Sequence, residues 1–194
     1  MKILIISGTP KQDGICDSLV TAALSSAKES GAETEVIKLS EQNISLCKMC
    51  GDGWGSCSGE HKCWDDNFNK VQEEFSEADA FIYITPVYWG DVSEALKNYF
   101  DKLRRAQASK RWNSGDTSGG SFLSGKQSII VANAGGGGGG IVNTLHQMER
   151  AISHMGGSIY DYIAVNRWNQ EYKRESLKSA VKSMIDSNNN GGNK

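Results

Sequence analysis

Lys2 is followed by four apolar residues, Ile3 to Ile6, and short runs rich in Ile, Val, Phe and Tyr return four more times along the chain. Bounded by turn residues, these runs predict strands at 2–7, 35–39, 80–85, 127–132 and 158–165. Their near-continuous apolar content suits strands covered on both faces. The intervening segments change to a helical period. Leu19, Val20, Ala23, Leu24 and Ala27 share one face of a helix over 18–30 that Gly31 would close. Phe68, Val71 and Phe75 mark a second helix, with Asp65 or Asp66 as its N-cap. Val92, Ala95, Leu96, Tyr99, Phe100 and Leu103 mark a third, 141–155 a fourth and 176–185 a fifth. Strands alternating with helices predict an α/β fold with a parallel sheet.

With 194 residues and 38% apolar content, one good core is affordable and a second is not. The expectation is a single domain over 1–186, followed by a polar, disordered tail over 187–194. Formal net charge is −2, and the 21 Lys and Arg residues form no run longer than a dipeptide, which argues against nucleic acid as a partner. The apolar run after Lys2 is too short for a signal sequence, and no stretch reaches the roughly 20 apolar residues of a membrane span. The chain therefore reads as cytoplasmic, with no membrane partner. In that compartment five cysteines are expected to be reduced, metal-bound or redox-active.

In an open parallel α/β sheet, ligands bind beyond the carboxyl ends of the strands, where the strand order reverses. A flavodoxin-like order, 2-1-3-4-5, would bring together the three most unusual loops of this chain. The first, "SGTPKQDGIC", supplies Thr9, Lys11, the conformationally free Gly14 and then a helix amino terminus, an arrangement suited to a phosphate. It is neither a Walker loop nor a GxGxxG dinucleotide loop. The second, "TPVYWGD", places Pro86, Tyr88, Trp89 and Gly90 where two aromatic side chains can wall a flat ring system. The third, "ANAGGGGGG", can offer a ligand little besides backbone N–H groups at close range. Together they describe a site for a planar aromatic phosphate ester.

These loops resemble those of the NADPH-dependent FMN reductase family, whose flavodoxin-like members include the iron-sulfur flavoproteins. "SGTPKQDGIC" is similar to the family's phosphate loop, "TPVYWGDVSEALKNYFDKLRR" to its SPVYWG block, and the likeness covers residues 1 to about 165. The resemblance implies a doubly wound five-stranded sheet in the order 2-1-3-4-5 with helices on both faces. It also implies bound FMN, with Thr9, Lys11, Gly14, Ile15, Cys16 and Ser18 around the phosphate. Pro86, Val87, Tyr88, Trp89 and Gly90 would flank one side of the isoalloxazine, and Ala134, Gly135, Gly136 and Gly137 its other edge. Ile15-Cys16 replaces the family's Asn-Thr, exchanging a hydroxyl donor for a weak thiol donor, and Lys11 replaces an Arg.

The connection 40–64 holds the other four cysteines, spaced Cys47-x2-Cys50-x6-Cys57-x5-Cys63. It follows strand 2, where the resemblance puts a compact cysteine motif. Four thiolates suit a [4Fe–4S] cluster or Zn²⁺, while reduced thiols with a Cys47/Cys50 redox pair are the alternative; His61 is a further donor in the same loop. Lys102, Arg104 and Arg105 read as a solvated helix end or as a contact for the phosphates of a nicotinamide cofactor. The functional expectation is an FMN-dependent oxidoreductase that takes hydride from NAD(P)H and passes electrons to a quinone, flavin, metal or protein acceptor, with no catalytic side chain. The alternative is an iron-sulfur flavoprotein that transfers electrons or senses redox state without NAD(P)H turnover. The resemblance further implies a homodimer or homotetramer, with the connection 106–125 as a place for the contact.

Overall fold

A strand whose successive residues are all apolar must be buried on both sides, and the chain arranges this around one parallel sheet. In the computed structural model, which describes residues 1–53, 55–59, 62–113 and 123–191, the strands are β1 (Lys2–Ser7), β2 (Glu33–Lys38), β3 (Ala80–Pro86), β4 (Gln127–Ala134) and β5 (Ser158–Asn166). They run in the order β2-β1-β3-β4-β5, all neighbours parallel. The order reverses between β1 and β3, as expected.

The helices are α1 (Ile15–Glu29), the single turns α2 (Cys50–Gly53) and α3 (Ser56–Gly59), α4 (Asp66–Glu77), α5 (Glu94–Asn113), α6 (Ile141–His154) and α7 (Gln170–Gly191). Alternate strand residues divide the core. Leu4, Ile6, Phe81, Tyr83 and Ile130 pack against α4, α5 and α6, with Phe75 stacked on Phe81 at 4.4 Å. Ile3, Ile5, Ile82, Ile84 and Val131 pack against α1 and α7. The sheet is thus covered on both faces. No described helix is long and apolar enough to cross a membrane.

Of the boundaries that differ from the sequence reading, three have a clear physical cause. α1 starts at Ile15 rather than at 18, because Gly14 takes the extended N-cap conformation and the first turn can form directly after the loop. α5 continues to Asn113, so the start of the connection read as 106–125 is helix; its Ala, Gln, Lys and Arg residues are good helix formers. Residues 114–122 of that connection lie outside the described residues, as does His61. α7 runs to Gly191, so residues 187–191 are helical instead of a disordered tail. Asn188 helps hold this end, its Nδ2 donating to Gln127 Oε1 at 3.0 Å and to Met184 O at 2.8 Å. A sequence that is merely polar and small gains order here from a neighbouring strand.

Candidate functional site

The loops after β1, β3 and β4 leave the same edge of the sheet, and several contacts lock them together. Gly8 N donates to Ile84 O at 2.9 Å, and Val87 N to Asn133 O at 2.9 Å, extending the sheet pairing into the loops. Tyr88 and Asp91 exchange backbone hydrogen bonds of 3.0 and 2.9 Å, closing a tight turn with Trp89 and Gly90 at its tip. Both tip residues have positive φ, +54° and +78°. For a bulky side chain that is a strained conformation, and strain of this kind concentrates at ligand sites. Trp89 is fully exposed and Tyr88 about half so, which leaves both rings available.

Gly140 shows why the third loop ends in glycine. Its φ is +82°, and a Cβ there would overlap Gly90 Cα of the neighbouring turn. Asn143 Nδ2 donates to Gly90 O at 2.5 Å and fastens the same junction from α6. On its other side the glycine loop meets the end of β5, where Arg167 N donates to Gly136 O at 3.3 Å and the Trp168 ring lies against Gly137. The sequence reading did not select Trp168 or Arg167. Their place at the rim becomes visible only when β5 is placed beside β4.

At the first loop, the amino terminus of α1 has no side-chain cap, so the N–H groups of its first turn face the loop with the dipole's positive end. Thr9 and Cys16 are buried, Gly14 and Ile15 partly so, and Lys11 is exposed beside Gly14. The Thr9 hydroxyl accepts from Lys11 N at 3.3 Å, which shapes the loop. The Cys16 side chain turns into the core under the loop, where Asn133 Nδ2 approaches its Sγ at 3.8 Å. Burial, partly offset by hydrogen bonds from Asn133 and Thr9, pushes its pKa up to about 11. Ser18 is engaged with its own helix, donating to Ile15 O at 2.8 Å and accepting from Arg174 Nη2 at 3.4 Å. Arg174, on α7, brings a cation to this end of α1 that no local motif announced. Asn133 Oδ1 is buried and has no hydrogen-bond partner among the described residues. An uncapped helix terminus, an orphaned amide oxygen and a glycine loop that leaves open space over Gly135 and Gly136 fit a ligand with an anionic group and a flat polar ring, the chemistry of FMN.

The four loop cysteines are brought to one place. Cys47, Cys50, Cys57 and Cys63 line a single cavity of about 30 Å³ together with Met49, Gly55, Ser56 and Trp64. Burial and then the neighbouring Cys63, Cys47 and Cys50 thiols raise the Cys57 pKa above its ordinary value. The soft, convergent donor set fits a thiolate-bound metal in kind. Among the described residues, however, no group of three or more His, Cys, Asp or Glu is arranged to hold an ion. The basic run beside it is not solvated as a whole. Lys102 is buried and paired with Asp65, while Arg104 is exposed; the Arg105 side chain lies outside what is described.

A parallel sheet in the order β2-β1-β3-β4-β5 with helices on both faces defines the flavodoxin-like α/β class. The sequence profile of the NADPH-dependent FMN reductase family matches residues 1–170, and the chain belongs to that family. It is 38% identical over 109 residues to an iron-sulfur flavoprotein of Methanosarcina thermophila, an alignment covering 54% of this chain and 55% of that protein. At this level of identity the match thus spans about half the length of the relative. An iron-sulfur flavoprotein of Methanocaldococcus jannaschii is 28% identical over 185 residues, 92% of this chain and 87% of its own. The fold is shared with an FMN-dependent NADH-azoreductase from Bacillus anthracis in complex with FMN (TM-score 0.71, 16% identity, 96% of this chain and 98% of that one).

Proposed function

We propose that the protein is an FMN-dependent oxidoreductase that takes hydride from NAD(P)H and passes the electrons to a small-molecule acceptor of the quinone or flavin type. The observation that carries this reading is the uncapped amino terminus of α1, opening on the edge where the Trp89 turn and the glycine loop meet. Membership of the FMN reductase family supports it. Bound FMN would supply the hydride acceptance and electron release. The chain's own part is binding and orientation. The first-turn N–H groups of α1, with Thr9 and Lys11, would hold the phosphate; Pro86, Val87, Tyr88, Trp89 and Gly90 would wall the ring; and the backbone N–H groups of Gly135, Gly136 and Gly137 would meet its polar edge. Ile15 and Cys16 contribute backbone rather than side chain, and Ser18 acts through the helix end it shares with Arg174. The visible spectrum of protein purified without oxygen, recorded before and after NADPH, tests the proposal. Flavin bands that bleach support it; protein that stays colourless after incubation with FMN overturns it.

A second reading rests on the shared cysteine cavity: a thiolate-bound metal, a [4Fe–4S] cluster or Zn²⁺, held by Cys47, Cys50, Cys57 and Cys63. The names of the relatives as iron-sulfur flavoproteins support the cluster version. Iron, zinc and acid-labile sulfide assays on anaerobically purified protein decide between the metals, and finding none of the three removes the reading.

A further inference from the structure

One carboxylate ties the two ends of the cysteine loop to α4 and α5. Asp65 Oδ2 accepts from Lys102 Nζ at 2.5 Å and from the Ser45 N–H at 2.8 Å, while Oδ1 accepts from the N–H groups of Asn67 and Phe68 at 3.1 and 3.5 Å. The start of the loop, its end, the first turn of α4 and the middle of α5 therefore converge on a single side chain. Both charges of the pair are out of water, with side chains 2% and 4% exposed. Two amides add further pins. Asn98 Nδ2 donates to Ile44 O and Ser45 O at 3.0 and 3.1 Å. Asn69 grips the Cys63 backbone at both ends, accepting from its N–H at 2.9 Å and donating to its carbonyl at 2.7 Å.

We infer that the buried Asp65–Lys102 pair, assisted by Asn98 and Asn69, is the positioning device that holds Cys47, Cys50, Cys57 and Cys63 around one cavity. The inference rests on the second reading above for the purpose of that cavity, in which the four thiols act as a set. Packing alone does not account for the pair. An apolar pair of similar shape would join α4 to α5 at least as firmly, because desolvating two charges offsets their attraction. What the carboxylate adds is direction, since it fastens four separate donors and fixes where the loop begins and ends. Closing the roughly 20-residue segment between those donors costs chain entropy that the pinned ends absorb before any ligand arrives. Asn98 and Lys102 are four residues apart and therefore share one face of α5, the face turned to the loop. The Lys102 ammonium also stands 5.0 Å from the Trp64 ring, which lines the cavity. α5 begins just beyond the Trp89 turn, so one helix supports both the ring loop and the thiol loop.

Thiol labelling tests this on the reduced full chain. Wild type, Lys102→Met and Asn98→Ala are pulsed with N-ethylmaleimide and each cysteine is followed by peptide mass mapping. In wild type the exposed Cys47 and Cys50 react first, the half-buried Cys57 and Cys63 more slowly and the buried Cys16 last. Removing a pin is expected to speed Cys57 and Cys63 by about tenfold through local opening, with Cys16 unchanged as the internal reference for global unfolding. Co²⁺ alone, added anaerobically and read by thiolate-to-metal absorbance, is expected to bind the variants about tenfold more weakly than wild type. Cys57 and Cys63 reacting at wild-type rates in the variants overturns the positioning role, whatever Co²⁺ does. Faster labelling in the variants together with a wild type that takes no Co²⁺ upholds the positioning role and removes the metal reading instead. Should Lys102→Met fail to fold because it leaves a lone buried carboxylate, the double variant Asp65→Asn/Lys102→Met, which removes both charges together, decides the matter by the same labelling rates.

Discussion

Cys16 carries its thiol at the junction of the first and third site loops, between Thr9 and Asn133, and burial has raised its pKa from 9.0 to about 11. The folded state therefore holds this proton more tightly than the unfolded chain does. The resulting stability is fully present below pH 9 and is lost as the pH rises through 11. The thermal midpoint of wild type is expected to fall more steeply than that of Cys16→Ala over this interval, by an amount corresponding to on the order of 2 to 3 kcal/mol. Equal slopes would contradict the buried placement. Burial also raises the pKa of Tyr83 and Tyr99, but both proteins keep these groups, so the difference isolates Cys16. Lys102 teaches the complementary lesson at this scale. In the sequence it belongs to a basic run that reads as solvated, yet its neighbour in space is Asp65, 37 residues earlier in the chain.

At the scale of elements, the ends of helices and the tips of turns carry most of the specificity. Asp65 caps α4 as the local sequence suggests, its carboxylate accepting from the N–H groups of Asn67 and Phe68. Gly31 and Gly140 have nearly the same φ, +78° and +82°, but only the second sits where two loops touch. Gly31→Ala meets open space and is expected to cost about 1 kcal/mol, the ordinary penalty for a left-handed residue. Gly140→Ala carries that penalty plus the clash with Gly90, so urea unfolding should show a loss of at least roughly 2 kcal/mol. Flavin titration should show weaker FMN binding in Gly140→Ala alone. Equal effects of the two substitutions would mean that the close contact between the β3 turn and the glycine loop does not matter.

At the scale of the whole molecule, the sheet separates two apolar clusters that share no side chains. Ile152 of α6 lies in one and Ile185 of α7 in the other, both essentially unexposed. Ile→Val at each is expected to cost about 0.5 to 1.5 kcal/mol, and the double variant to equal the sum within about 0.5 kcal/mol. A larger coupling, measured by chemical denaturation of the four proteins, would show that the sheet transmits packing strain between its faces. The same architecture explains how the site is assembled. Loops far apart in sequence share one edge because parallel strands all end there, and α5 links that edge to the cysteine cavity.

Periodicity and turn chemistry alone determine much of this protein: five strands, the main helices, the glycine loop and the class of fold, because hydrophobic spacing and left-handed turns are written locally. The likeness of three loops to one family was also readable, since each is contiguous. Pairing across the fold was not. That Cys16 would be buried beneath the loop after β1, that Arg174 and Trp168 would reach the rim, and that residues 187–191 would be helical depends on which strand or helix lies alongside. The cysteine spacing left the ligand open for the same reason. Only the tertiary structure decides that the four thiols face one cavity and that a buried carboxylate far down the sequence from Ser45 holds the loop closed, because the free energy of a desolvated charge is set by its neighbours in space.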